Sequence, residues 1–219
     1  MPDPAMLGQA AGFVGLVASL VYILSIVGYR FTNPFSGHLL IEIPEEERSR
    51  PNRATWLIWS LLGGIQVYSY YKSGATNTLW AAVVLTVEFA VIALLSFKFG
   101  TKCWYATDTL CFIGAASCAY FWYSSKSAEI TLFLTLLIDF FGAIPTLRKA
   151  WVEPKSENGT AWTITVISST LNLGAVEWHA FTFTLSSIAI ASYPTYMFIG
   201  NGLILLTLVA GRWCLKNPP

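Results

Sequence analysis

Along the chain, long apolar runs alternate with short polar or charged breaks, and the runs fall at about 7–29, 54–72, 78–97, 107–123, 128–148, 160–178 and 191–212. Each is close to the roughly 20 residues that an α-helix needs to cross about 30 Å of hydrocarbon. The pattern predicts seven transmembrane helices, so the two termini are expected on opposite sides of a bilayer. The first run is not read as a cleaved leader, because Met1-Pro2-Asp3-Pro4 supplies no basic segment ahead of it. The fourth is the most dilute, being interrupted by Cys111, Gly114, Ser117 and Cys118.

Composition agrees with the pattern. Of 219 residues 55% are hydrophobic and 11% charged, against roughly a quarter charged in soluble domains. Disorder, coiled coil and a disulfide scaffold are excluded. A net charge of +1 leaves no basic surface for nucleic acid. Four cysteines without framework or metal spacing, and His38 and His179 far apart, predict free thiols, with no metal and no cofactor.

The few charges orient the chain. With seven spans, Arg30, Arg48, Arg50, Arg53, Lys98, Lys102, Arg148, Lys149, Lys155, Arg212 and Lys216 fall on one face, and only Lys72 and Lys126 on the other. Basic loops stay cytoplasmic, which predicts an integral membrane protein with its N-terminus outside or lumenal and its C-terminus in the cytoplasm.

The segments also repeat. Asn52-Arg53-Ala54-Thr55-Trp56 opens helix 2 and Asn158-Gly159-Thr160-Ala161-Trp162 opens helix 6; aligning the tryptophans sets Gln66 against Asn172. Arg30 after helix 1 matches Arg148 after helix 5, and Glu88 in helix 3 matches Asn201 in helix 7. Four spans separate equivalent positions, so the repeats are parallel. The expected fold is an all-α polytopic membrane protein: a three-helix bundle over 1–100, a linker helix over 101–126 and a second three-helix bundle over 127–219. Asn158-Gly159-Thr160 also matches a glycosylation acceptor, but it falls on the predicted cytoplasmic face and is set aside.

Gly142-Ala143-Ile144-Pro145-Thr146-Leu147-Arg148-Lys149-Ala150-Trp151, followed by Lys155-Ser156-Glu157-Asn158-Gly159-Thr160 and Trp162, resembles the signature of the PQ-loop superfamily. Its seven-helix members include the SWEET sugar transporters and the lysosomal amino-acid exporters related to cystinosin. Thr146 stands where the signature has Gln, and Val27 where the proline of the first repeat would lie. The resemblance thus covers the whole topology, but the motif only in the second repeat. It implies the same orientation, alternating access between the bundles, and a hinge at Pro145. Asn201 matches a substrate-holding Asn on helix 7 of the sugar transporters, whereas their Asn on helix 3 is replaced by Glu88, which favours a proton-coupled or amine-bearing solute over a neutral sugar.

Candidate chemistry lies at mid-depth. Glu88 and Asp139 have no Lys, Arg or His at comparable depth, and charge in hydrocarbon costs at least about 2.5–3.5 kcal/mol. At least one is expected to hold a proton, either for proton coupling or as a permanently protonated helix contact. Gln66, Asn172 and Asn201 bring amides into apolar surroundings, where each needs partners. Thr131, Thr135, Asp139, Gly142, Ala143 and Thr146 form a small or polar face of helix 5, suited to water or to close packing. Trp59 is a candidate wall or a packing residue. Tyr193 and Met197 share the face of Asn201, and Pro194 is expected at the start of helix 7. Gly200 and Gly202 would let a ligand or a helix approach Asn201 closely.

These readings predict a small-solute transporter, not an enzyme, with substrate-binding residues Gln66, Glu88, Asn172, Asn201 and Trp59 and proton-coupling residues Glu88 and Asp139. Its partners would be the lipid bilayer and a small polar or amine-bearing solute, with a homo-oligomer or a larger membrane complex left open. The alternative is a non-transporting subunit or receptor that binds other chains through its aromatic surface and its first cytoplasmic loop. From Arg30 to Trp56 is 26 positions, against 14 from Arg148 to Trp162, so that loop is longer by 12; Leu39-Leu40-Ile41-Glu42-Ile43 within it reads as strand-like or as solvated loop.

Overall fold

The structure, a computed structural model, describes residues 3–32, 39–124 and 127–216, so His38 and Lys126 lie outside the described residues. The described chain forms α1 (Pro4–Val27), α2 (Arg53–Lys72), α3 (Leu79–Phe99), α4 (Ala106–Ser124), α5 (Ala128–Val152), α6 (Gly159–Gly174) and α7 (Leu185–Lys216). Local chemistry explains the boundaries. The Asp3 side chain accepts from Ala5 N ahead of Pro4, and Gly28 ends α1 at φ 101°, a left-handed conformation, with its N–H on Leu24 O. Asn52 and Asn158, aligned in the repeat, cap their helices in the same way, since each side chain accepts the backbone N–H three residues on, from Thr55 and from Ala161.

Part of the long first connection is an antiparallel hairpin, β1 (Tyr29–Phe31) with β2 (Leu40–Glu42), in which Arg30 faces Ile41. The connection between helices 6 and 7 differs from the sequence expectation. Helix 6 stops at Gly174 rather than 178, and helix 7 starts at Leu185 rather than 191. Thr184 and Ser187 supply the start, Thr184 Oγ1 accepting from Ser187 N at 3.3 Å. Pro194 is therefore inside α7 and not at its start. Proline cannot donate to the carbonyl four residues back, and here that carbonyl, Ile190 O, accepts instead from the Tyr70 hydroxyl at 3.0 Å.

Four helices, α1, α3, α5 and α7, are long and apolar enough to cross a membrane. The others are shorter, with 20, 19 and 16 residues, and more polar. Large apolar side chains face outward, Leu94 at 73% exposure, Leu110 at 67% and Leu206 at 66%. Such a surface belongs in lipid, where helices satisfy their own backbone hydrogen bonds. The protein is an all-α integral membrane protein.

The packing has an internal regularity. Helix α3 lies between α1 and α2, and α7 between α5 and α6; among the described residues the backbones of α1 and α2, and of α5 and α6, stay apart, although the Tyr22 ring of α1 reaches Trp56 of α2 at 5.4 Å. Between the triplets α1 packs on α6 and α2 on α5. Exchanging 1 with 5, 2 with 6 and 3 with 7 reproduces each of these neighbours. Helix α4 sits outside, against α5 and the edge of α2.

Candidate functional site: a cavity between the helix triplets

Tyr22 of α1 and residues of α2, α3, α5, α6 and α7 line a cavity of about 30 Å³, room for about two water molecules. Glu88, Asp139, Asn201 and Trp59 all border it. Both triplets contribute, with Glu88 on α3 and Asp139 on α5.

Each polar side chain is held by a neighbouring helix. Ser19 of α1 approaches Glu88 Oε2 at 2.7 Å and Gly15 O at 3.0 Å. Its hydroxyl has one hydrogen, so both contacts are satisfied together only when Glu88 carries a proton and donates it to Ser19. The Tyr196 hydroxyl donates to Asp139 Oδ2 at 2.6 Å, and the Trp59 indole N–H to the backbone carbonyl of Asp139 at 3.0 Å. Asp139 Oδ1 and Trp56 Nε1 are buried and have no hydrogen-bond partner. Asn201 Nδ2 donates to Ser169 Oγ of α6 at 2.9 Å. No Lys, Arg or His is among the described residues that border the cavity.

Gln66 and Asn172 lie away from this cavity. Both are buried, at 3% and 2% exposure, but neither borders the cavity. Gln66 follows Trp59 by seven residues, and Asn172 follows Thr165 by seven; two helical turns carry each about 10 Å beyond the cavity wall. Gln66 Nε2 and Asn172 Oδ1 are also without partners. Met197 borders the cavity, whereas Tyr193 packs on Tyr70, ring centroids 4.6 Å apart. Nothing lies within 4 Å of a Cβ built at Gly200 or Gly202, so these glycines do not mark a close helix contact. On α5 the Thr131 and Thr135 hydroxyls bond carbonyls of Ser127 and Leu132, and Thr146 Oγ1 meets Thr55 Oγ1 at 3.0 Å. Pro145 lies inside an unbroken α5, six residues past Asp139.

Three groups are additions. Tyr22 and Trp162 border the cavity, and Tyr196 holds Asp139. Tyr22 and Trp162 also both donate to Glu157 Oε2, at 2.8 and 3.0 Å. Glu157 Oε1 pairs with Lys149 Nζ at 2.7 Å, with side-chain exposures of 0% and 6%. Lys149 donates further to the carbonyls of Arg50 and Ser156. The tryptophan alignment was the available signal for Trp162. Tyr196 lies five residues before Asn201, off its face, and no spacing in the sequence pairs Lys149 with Glu157.

All four cysteines are free thiols. In comparisons with known proteins, the chain matches no family model, no curated protein and no solved structure.

Proposed function

We propose that the chain crosses the membrane seven times, as two parallel three-helix units over 1–100 and 127–219 joined by the α4 segment, with the N-terminus outside or lumenal. The units rock about the central cavity, Pro145 providing the bend, and move a small polar or amine-bearing solute in exchange for or together with protons carried by Glu88 and Asp139. The interchangeable packing of the triplets and the separation of basic residues support this topology. The observation that carries the transport reading is the meeting of Glu88 and Asp139, from opposite units, on one buried cavity without a basic partner among the described residues. Intramembrane acids in that setting mark proton and solute pathways.

The test is uptake into liposomes that contain the purified protein and a pH-sensitive dye. A panel of radiolabelled amines, amino acids and sugars is expected to include a solute whose uptake follows an imposed pH gradient. Glu88→Gln and Asp139→Asn should each abolish the gradient-driven part. Uptake that ignores both substitutions removes the coupling, and a panel with no protein-dependent uptake removes the transport reading.

A further inference from the structure

The chemistry of the cavity walls points to one class of solute. Trp56 and Trp59 have ring centroids 5.1 Å apart and planes at 85°, and Tyr22 and Trp162 are 6.2 Å apart at 69°. Phe89 closes on Trp59 at 5.2 Å. Rings at such angles form corners, and the π-face of an indole attracts a cation within about 6 Å of its centroid. Beside these rings stand two carboxyl groups, and Asp139 Oδ1 is buried without a donor.

Other solute classes fit poorly. An anion would meet Glu88 and Asp139 and no described basic side chain on the wall. A polyhydroxylated solute needs many donors and acceptors, yet the Tyr22 and Tyr196 hydroxyl hydrogens and Asn201 Nδ2 are directed to neighbours, and the unpartnered buried atoms on the wall are one donor, Trp56 Nε1, and one acceptor, Asp139 Oδ1. A cation with a compact apolar body would be held by the rings and neutralised by the acids.

We infer that the cavity selects a small organic cation with an alkylammonium head and one hydrogen-bond donor. The head sits in the corner formed by Trp56 and Trp59, and the donor meets Asp139 Oδ1. The inference rests on the transport reading only in taking this cavity as the solute site. The present space of about 30 Å³ is too small for such an ion, so the walls part to admit it.

Choline and 3,3-dimethylbutan-1-ol test the inference, because they share shape and hydroxyl and differ in charge. Binding to the purified full chain in lipid nanodiscs is read by displacement of radiolabelled choline. Choline is expected to bind about tenfold or more tighter than the alcohol, and Trp59→Leu to weaken choline by about 2- to 30-fold. Trp59→Phe should keep most of the affinity, and Asp139→Asn should shrink the preference for the charged ligand to the part that the rings and Glu88 supply. Equal affinities, or no saturable choline binding to protein that elutes as a single symmetrical species, would overturn it. Selective choline binding without choline uptake into liposomes leaves the inference standing and defeats transport. Gradient-driven uptake of a neutral solute without choline preference does the reverse.

Discussion

At the junction between α5 and α6 the chain is fastened by buried charge: Lys149 and Glu157 pair at 2.7 Å, and every oxygen of that carboxylate has a partner. At the equivalent junction between α1 and α2 the repeat alignment places Phe31 and Pro51 at these positions. There Pro51 O accepts from Thr101 N at 3.0 Å and Asn52 donates to the Asp108 carboxylate at 3.5 Å, while the ion pairs of that connection, Arg30 with Glu47 and Arg48 with Glu42, have exposed carboxylates. The helix order is the same in both halves, so the ion pair is not what sets the packing. A buried pair offsets a large desolvation cost and is no general source of stability. Its particular effect here is to tie two cavity walls, Tyr22 of the first half and Trp162 of the second, to one carboxylate. In the proposed rocking of the two units, opening the cavity on that side would part those hydrogen bonds.

Breaking the pair from one side should give the largest effect. Lys149→Met leaves Glu157 buried without its counter-charge and is expected to destabilise the protein by about 3–5 kcal/mol. Thermal unfolding in detergent is the readout. The double substitution Lys149→Met with Glu157→Met should recover much of that loss, because no charge is then stranded. If Lys149→Met costs no more than a change at the first junction, the proposed difference between the halves is wrong.

A second test probes how tightly the halves meet at the cavity. A Cβ at Gly142 of α5 would lie 2.6 Å from Trp59 Nε1 of α2, so Gly142→Ala must displace the indole and its bond to the Asp139 carbonyl. The expected cost is about 1–3 kcal/mol. Gly200→Ala on α7, with nothing within 4 Å, should be neutral or stabilise its helix by up to about 1 kcal/mol. Equal effects in the same unfolding assay would mean that the cavity is not bounded more closely by α2 and α5 than by α7.

Much of this architecture was legible because lipid imposes long apolar helices and an amphiphilic charge pattern. The start of α7 is not legible because Trp178 to Ile190 reads as too short and too mixed to span, and Pro194 as a helix start, until the Tyr70 hydroxyl is seen to satisfy Ile190 O. The acids were legible because charge at mid-depth is costly. The amides were not separable: Gln66, Asn172 and Asn201 look alike in sequence, and only the two-turn offset along α2 and α6 removes the first two from the cavity wall. Lys149 and Glu157 read as loop charges because each lies beside other polar or charged residues near a helix end, and burial is a property of the assembled junction.

The smallest effect compares the aligned asparagines. Asn52 and Asn158 make the same cap, so replacing either by Ala should cost about 1 kcal/mol through loss of the N–H acceptor. Asn52 is 4% exposed and its amide also faces Asp108, which leaves a buried carboxylate one donor poorer in Asn52→Ala. Beside Asn158 the neighbouring Glu157 keeps all its donors when the cap is removed, since they come from Lys149, Tyr22 and Trp162. Asn52→Ala is therefore expected to exceed Asn158→Ala by a few tenths to about 1 kcal/mol, and adding Asp108→Asn to both should bring the two costs together. A larger loss at Asn158 would mean that the charged junction depends on its cap, and that the two fastenings are not independent.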